Sequence, residues 1–347
     1  MKAMILSAGL GTRLRPLTER WPKPAMPLLG QPLLRYALSV VTRAGVDAVG
    51  INTHHLPEVM EMTARRECER KGVPLTVAHE PVIQGTGGGI RGLRELFRDG
   101  TFVVINGDVL FALDLAPVIS AHEATRADAT MVLLPLPANE RYAAVEIDPD
   151  GKVRRIAGIG PGGPRLSPWH FTGVHVMSPV VFDFMSASGP EDINREVYPR
   201  MIEKGLLVRG HLVDPGSAYW SDVGTPARYA ATHKDLLYGQ VRTSLFGDDV
   251  PFATASRTVG NFWAHPSAWL SDVKVAGPAF FAEGCELGAN VRVGAGVSVG
   301  CFAHVGEGAA LNRVAVLDGA EVPAGRRLED CLVLPGEEGE SGIVVPV

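Results

Sequence analysis

Lys2-Ala3-Met4-Ile5-Leu6-Ser7-Ala8-Gly9-Leu10-Gly11-Thr12-Arg13-Leu14-Arg15-Pro16-Leu17-Thr18 opens the chain with a short aliphatic run that breaks into two glycines. The run predicts a buried strand over Lys2–Ser7. The glycines predict a loop whose backbone passes close to a ligand and turns its N–H groups toward phosphate oxygens. This is not a dinucleotide fingerprint, because Leu14 stands where a third glycine is needed. Nor is it a P-loop, because no Gly-Lys-Ser/Thr comes after it.

Outward from that loop the chain alternates. Apolar runs at Ala48–Thr53, Leu75–His79, Phe102–Asn106 and Thr130–Pro135 read as further strands. Between them lie helical patterns at Leu33–Ala44, Pro57–Lys71, Ile90–Phe97 and Asp114–Ala124, the last opened by an acidic residue able to cap it. In the first of these, Leu34, Ala37, Leu38 and Val41 fall on one stripe. This order predicts an α/β fold over residues 1–238, a Rossmann-like mixed or parallel sheet with its chemistry at the carboxyl ends of the strands.

The tail is different. Val275, Phe281, Leu287, Val293, Val299, Val305, Leu311 and Leu317 recur every six residues, each succeeded by a small or polar residue. That register predicts a small left-handed parallel β-helix over residues 273–347, of roughly three coils. Residues 239–272 show no clear period and read as a connecting segment.

Composition narrows the function. The chain has 347 residues, is 46% hydrophobic and 20% charged, and carries a net charge of -5, which offers no general attraction for nucleic acid or an acidic membrane. An anionic substrate would need a local site. The four cysteines, Cys68, Cys285, Cys301 and Cys331, are scattered without a CxxC pair, as in a reduced cytoplasmic protein. No apolar run approaches the ~18 residues of a membrane span, and the N-terminus lacks a signal-peptide pattern.

The full string Gly9–Thr18 with the later Pro22-Lys23-Pro24 resembles the signature of the nucleotide-sugar pyrophosphorylase family, GxGTRLxPLT and PKP. The hexad tail is similar to a common appendage of that family. The resemblance implies a glycosyltransferase-A-like nucleotidyltransferase domain in which Ala8, Gly9, Gly11 and Thr12 wrap a triphosphate. It implies that Arg13 and Lys23 contact the phosphates as catalytic cations. Fixed cations suit this chemistry, since displacement at phosphorus spreads negative charge over the α-phosphate and the departing pyrophosphate.

Two more motifs resemble the family's metal carboxylates, Asn106-Gly107-Asp108 at a strand end and Trp220-Ser221-Asp222-Val223-Gly224-Thr225-Pro226. The resemblance implies that Asp108 and Asp222 hold Mg²⁺, an ion that needs only one or two carboxylates beside substrate phosphates and water. The bland alternatives are a turn residue at Asp108 and a helix cap at Asp222. His54 and His55, adjacent after a strand, read as loop packing. No protein nucleophile is needed: a sugar phosphate carries most of its second negative charge at neutral pH and can attack the α-phosphorus itself.

Glu80–Gly89 resembles the family's base-reading loop, which implies nucleotide contacts from Glu80, Gly85 and Thr86. A carboxylate only accepts, which suits the two donors of guanine, whereas a Gln suits uracil or thymine. Glu146, Thr172 and Gly173 match the family's sugar-binding positions. Two departures stand out: Ala143 replaces a usual glycine, and the Glu-Lys-Pro motif that supplies a sugar-phosphate lysine is absent, leaving Lys152, Arg154 and Arg155 as candidates.

The expectation is an enzyme joining a nucleoside triphosphate to a sugar 1-phosphate, with GTP and mannose 1-phosphate as the leading pair. Alternatives are a UTP- or dTTP-dependent transferase for a sugar such as N-acetylmuramate or glucose 1-phosphate, or a non-catalytic regulator that binds nucleotide-sugar. The β-helix is expected to be structural or to build a homo-oligomer. An acyltransferase role would rest on His265 and His304.

Overall fold

The computed structural model describes residues 1–137, 142–253, 255–257, 261–337 and 340–347. Residues 254 and 258–260 of the connecting segment, and 338–339 of the tail, lie outside them. The chain forms two compact units. The first comprises Met1–Leu10, Pro22–Pro24 and Ala37–Trp220; the second comprises Gly11–Trp21, Ala25–Tyr36 and Ser221–Val347.

The main sheet belongs to the first unit. Its elements run β1 (Lys2–Leu6), α1 (Leu33–Arg43, which begins in the second unit), β2 (Ala48–Thr53), α2 (Pro57–Lys71), β3 (Leu75–His79), α3 (Gly85–Gly92) and β4 (Phe102–Asn106). Then come α4 (Ala116–Thr125), β5 (Ala129–Leu134), β6 (Ala144–Ile147), β7 (Val153–Ile156), β8 (Ser167–Met177) and β9 (Val208–Leu212). The strand order is β7-β6-β8-β4-β1-β2-β3, with β5 also paired to β8 and β9. Strands β4, β1, β2 and β3 are mutually parallel, and β8 runs antiparallel to β4, β5 and β6, so the sheet is mixed.

The five strands expected from apolar runs all form, within a residue at each end. The central ones are solid with aliphatic side chains because helices cover both faces. Met4, Phe102, Val104, Met131, Leu133 and Met177 sit in one buried cluster with Ile90 and Phe97. Helix α4 starts two residues later than expected: its cap position is Leu115, which makes no side-chain cap bond, and Asp114 lies just ahead of it, accepting from the Ala116 amide at 3.0 Å.

A second boundary is corrected. The helical pattern from Ile90 starts earlier, as α3 begins at Gly85 and takes in the glycine run. Glycine is a poor helix former, but here tertiary packing overrides propensity. A β-carbon at Gly85 would lie 2.5 Å from the Glu191 carbonyl oxygen, and one at Gly89 would lie 2.5 Å from Asn52 Nδ2.

In the second unit, α5 (Pro226–Leu237) precedes a parallel coil. Ala264 lies on Phe281, Phe281 on Val299, Val299 on Val316, and Val316 on Val333. The other two sides stack Leu270, Leu287, Val305 and Val322, and then Val275, Val293, Leu311 and Leu328. These residues line one apolar interior. Three six-residue sides give one winding, which is the architecture the hexads implied.

Two details differ from the strict hexad. The stack starts near Phe262, ahead of Val275, and Val316 rather than Leu317 takes the inward place over Val299. The cause is a five-residue side at Leu270–Val275, Leu311–Val316 and Leu328–Val333, which drops one corner residue and shifts the count by one. The left-handed corners at Asp272, Arg313 and Asp330, all with positive φ, fall inside those short sides. The last strand, Ile343–Pro346, runs antiparallel along Arg327–Leu334.

Cys68, Cys285, Cys301 and Cys331 are free thiols. Burial pushes Cys285 and Cys301 up to about 12. Among the described residues, no helix is long and apolar enough to cross a membrane.

Candidate active site

Strands β1 and β4 are neighbours, and the chain leaves them toward opposite edges of the sheet: β2 and β3 flank β1, while β8 flanks β4. The crevice outside their carboxyl ends is the topological switch point where open α/β sheets bind ligands. Ser7, Ala8 and Gly9 leave β1 there, and Asn106, Gly107 and Asp108 leave β4. The Gly107 amide continues the ladder to the Leu6 carbonyl at 2.9 Å. A β-carbon at Gly107 would press on Ile5, Leu6 and Ser7 at 2.9–3.1 Å. Glycine here lets Asp108 emerge directly beside the end of β1.

Asp108 Oδ2 accepts from Lys23 Nζ at 3.0 Å. The lysine side chain is 7% exposed and the aspartate 42%. A cation so deeply placed needs a counter-charge, and Asp108 supplies one while keeping a solvent-facing side. Thus the structure joins two of the sequence-derived candidates within the first unit.

In the second unit it joins two more. Gly11, in the left-handed region at φ 60°, opens a short turn over Thr12–Leu14. Thr18 Oγ1 donates to the Gly11 carbonyl at 2.9 Å and holds the turn. Thr12 and Arg13 are exposed on it. A β-carbon at Gly224 would lie 3.1 Å from Arg13 Nη2 and 3.2 Å from Asp222 Oδ2, so guanidinium and carboxylate flank the same glycine. Asp222 Oδ1 also accepts from the Gly224 amide and from Arg228 Nη1. Asp222 is not the helix cap: Thr225 caps α5, accepting from the Arg228 amide at 3.3 Å.

The Glu80 loop is held from two sides. Glu80 is 6% exposed, so it is no surface turn residue. Its Oε1 accepts from Asn52 Nδ2 and its Oε2 from the Gln84 amide, each at 2.8 Å. On the other side, the amides of Gly87 and Gly88 donate to the Glu191 carbonyl, and Thr86 Oγ1 accepts from the Ile193 amide at 3.0 Å. Two N–H groups of the first turn of α3 are therefore already satisfied, and those of Gly85 and Thr86 are its open donors among the described residues. Burial alone would raise the Glu191 carboxyl, but hydrogen bonds from Arg200 and Ser186 hold it below the usual carboxylate range.

The sugar candidates lie on β6 and β8. Glu146 is paired on its rung with Arg155, whose Nη1 sits 3.7 Å from Glu146 Oε2. Arg154 instead turns to Asp148, with Nε 3.1 Å from Oδ2. Gly162 lies against the Arg155 guanidinium, where a β-carbon would come within 2.7 Å of Nη2. Thr172 is buried; its hydroxyl donates to the Val132 carbonyl, and its own carbonyl accepts from Trp220 Nε1. Gly173 takes φ 86° and breaks the ladder between β8 and β5, with Asn106 packed where a side chain would be.

Sequence reasoning missed Asn52 and Arg228. Asn52 had one signal, a polar residue within the otherwise apolar run Ala48–Thr53. Arg228 had none beyond lying in the first turn of the helix that comes after Asp222. His54 is loop packing, as expected, with Nδ1 2.7 Å from the Glu80 carbonyl oxygen. In the tail, His265 Nδ1 pairs with Ser267 Oγ at 2.7 Å, and His304 stands exposed on a coil side. Among the described residues no three His, Cys, Asp or Glu side chains cluster as a metal cage.

Residues 2–238 match the family described as Nucleotidyl transferase. The chain is 30% identical to the mannose-1-phosphate guanylyltransferase of Mycobacterium tuberculosis, over 94% of this chain and 82% of that one. It is 27% identical to the UTP–glucose-1-phosphate uridylyltransferase of Synechocystis, over 96% of this chain and 87% of that one. Its fold is similar to a crystal structure from Bacillus anthracis assigned as a glucose-1-phosphate thymidylyltransferase, in complex with sucrose. That likeness has TM-score 0.57 and 22% identity, covering 67% of this chain and 94% of the other.

Proposed function

The chain belongs to the nucleotidyl transferase family, and from that footing we propose that it transfers a nucleoside monophosphate from a triphosphate to a sugar 1-phosphate, with GTP and mannose 1-phosphate as substrates. The observation that carries this reading is the Lys23–Asp108 pair, a buried cation and a half-exposed carboxylate at the β1/β4 switch point.

In the reaction, a phosphate oxygen of the sugar 1-phosphate forms a bond to the α-phosphorus. The bond from that phosphorus to the bridging oxygen breaks, and pyrophosphate leaves with its electron pair. Lys23 and Arg13 neutralise charge on the triphosphate, and the loop Ala8–Thr12 lies along it. Gly9 supports this, because a β-carbon there would meet no protein atom and the chain itself makes no demand for glycine. Asp108 and Asp222 are the candidates to hold Mg²⁺. Both are carboxylates, the donor type this ion prefers, with side chains 42% and 17% exposed, and two suffice when phosphates and water complete the shell. Bound there, the ion would supply charge neutralisation at the reacting phosphates.

For the sugar phosphate, Arg155 is the candidate among the three cations left open by the sequence. It shares a rung with Glu146, whereas Arg154 is turned to Asp148. Glu146 would accept from sugar hydroxyls. Thr172 contributes backbone and an acceptor oxygen only, since its hydroxyl proton is already committed.

The choice of GTP rests on Glu80 and on the mycobacterial relative. Each Glu80 oxygen accepts one bond within the chain and keeps a second lone pair for a donor of guanine. The same geometry motivates a second reading. Asn52 and Gln84 already require a pure acceptor at position 80 whatever the base, so UTP or dTTP with another sugar phosphate is the alternative.

Purified protein given each triphosphate with mannose, glucose or N-acetylmuramate 1-phosphate decides by pyrophosphate release. Turnover confined to GTP and mannose 1-phosphate supports the first reading, and turnover confined to UTP or dTTP supports the second. Binding of nucleotide-sugar without turnover would make the protein a non-catalytic regulator. The coiled tail is proposed as a structural or homo-oligomerising element.

A further inference from the structure

One buried amide touches both the triphosphate loop and the base loop. Asn52, on β2 between β1 and β3, is 2% exposed. Its Oδ1 accepts from the Ser7 amide at 2.8 Å, immediately before Ala8 and Gly9. Its Nδ2 donates to Glu80 Oε1 at 2.8 Å, and Glu80 Oε2 accepts from the Gln84 amide that leads into α3. The orientation of the amide is set by chemistry: an N–H can only face its oxygen, and a carboxylate can only face its nitrogen. Gly89 packs so close that a β-carbon there would sit 2.5 Å from Asn52 Nδ2, so the amide needs glycine at that position.

We propose that Asn52 is a positioning residue that couples the two nucleotide loops, setting the Glu80 carboxylate and the Ser7–Gly9 backbone at a fixed separation so that base and triphosphate are bound as one rigid ligand. Along the relay Ser7 donates to Asn52, Asn52 donates to Glu80, and Gln84 donates to the other Glu80 oxygen, so the donors converge on the carboxylate from both sides. Removing the amide leaves two buried groups unmatched at once, one in each loop. The inference rests on the reading that these loops face the triphosphate and the base.

The polarity provides the test. Asn52→Asp keeps the shape and keeps the acceptor for Ser7, but it aims a carboxylate oxygen at Glu80 Oε1. Two carboxylates at that distance hold one proton between them and are driven apart when it leaves. Below the pH at which the shared proton is lost the relay stays joined, and above it the relay opens. The other ionisable groups near Glu80 are His54, on its carbonyl; His79, beside it in sequence; and Arg91 with Glu191, on the other side of α3. All are common to wild type and variants. Asn52→Asp combined with Glu80→Gln restores every bond with only the 52–80 one reversed: the introduced carboxylate accepts from the Ser7 N–H and from the introduced side-chain amide, whose oxygen accepts from the Gln84 N–H.

The experiment measures KM for the triphosphate and for the sugar 1-phosphate from about pH 6 to about pH 8.5 in the full-length protein, with thermal melts alongside. The triphosphate is whichever one wild type turns over. N52D is expected to raise the triphosphate KM about tenfold or more at the alkaline end and much less at the acid end, with the sugar-phosphate KM within about twofold. The double variant is expected to melt at a higher temperature than both N52D and E80Q and to lose the acid-strengthened profile, while its triphosphate KM stays raised because residue 80 is no longer a pure acceptor. N52D tracking wild type at every pH would overturn the inference, as would a double variant melting no higher than the singles. If N52D fails to fold, the double variant must recover the melting transition, and its failure to do so also overturns it. A wild-type protein without turnover would instead sink the reaction reading, and the melts would still decide the relay.

Discussion

Lys23 Nζ and Asp108 Oδ2 meet at 3.0 Å across 85 residues of chain. The contact exists because β4 lies beside β1 and Gly107 brings the chain over the end of that strand. A buried ammonium and a carboxylate at a ligand crevice can serve stability or chemistry, and substitutions separate the two.

Lys23→Met keeps the length of the side chain and removes the charge. Turnover is expected to fall about 10²- to 10³-fold, the usual loss for one fixed charge-stabilising group. Asp108→Asn should abolish most activity while the far-ultraviolet circular dichroism stays unchanged. Pyrophosphate release measured with both variants checks this, and D108N retaining full turnover would remove Asp108 from the site.

Two glycines of the loops should respond oppositely to alanine. At Gly85, with φ 69° and the Glu191 carbonyl 2.5 Å from the new β-carbon, alanine should cost about 2 kcal/mol or more of stability. At Gly9 the β-carbon meets open space, so Gly9→Ala should be neutral or slightly stabilising in melts. It should nevertheless raise the triphosphate KM. Chemical denaturation paired with kinetics separates the two cases.

Acid should destabilise both units. Burial lowers His175, in the first unit, and His233, in the second, to about 3. Unfolding lets each bind a proton at its ordinary value near ~6.5. Stability is therefore fully present above that value and is lost as pH falls from it toward about 3, by up to about 1.4 kcal/mol per pH unit for each histidine. Urea midpoints at several pH values would show the slope, and a flat profile would contradict it.

Removing residues 342–347 should uncover the edge of Arg327–Leu334, which Ile343–Pro346 now occupies. A bare edge is a template for another chain. The truncated protein is expected to self-associate or precipitate, and light scattering after size exclusion would report it.

Much of the architecture was legible. Aliphatic runs such as Phe102–Asn106 are buried on both faces and announce themselves without tertiary information. The hexads did the same for the coil, because one inward position per side must be apolar. Legibility stopped where packing overrode local preference. The glycines of 85–89 read as loop because nothing local reveals Glu191 and Asn52 crowding them into a helix. The coil's first winding was hidden because its inward residues include Ala264 and a short side precedes Val275. At the site, residue types were readable and commitments were not. Glu80 looks like a free acceptor until Asn52 and Gln84 occupy it, and Arg154 and Arg155 are indistinguishable until β7 turns them to opposite faces.

The short sides of the coil carry a consequence for how its length can change. A lost corner residue alters the count from eighteen to seventeen without moving any inward position off its column. A residue lost inside a side would swap interior for exterior through every later winding. Natural variation in this part of the molecule should therefore come as corner trimming or as gain and loss of entire windings, and engineered extensions should copy a full circuit rather than a fragment of one.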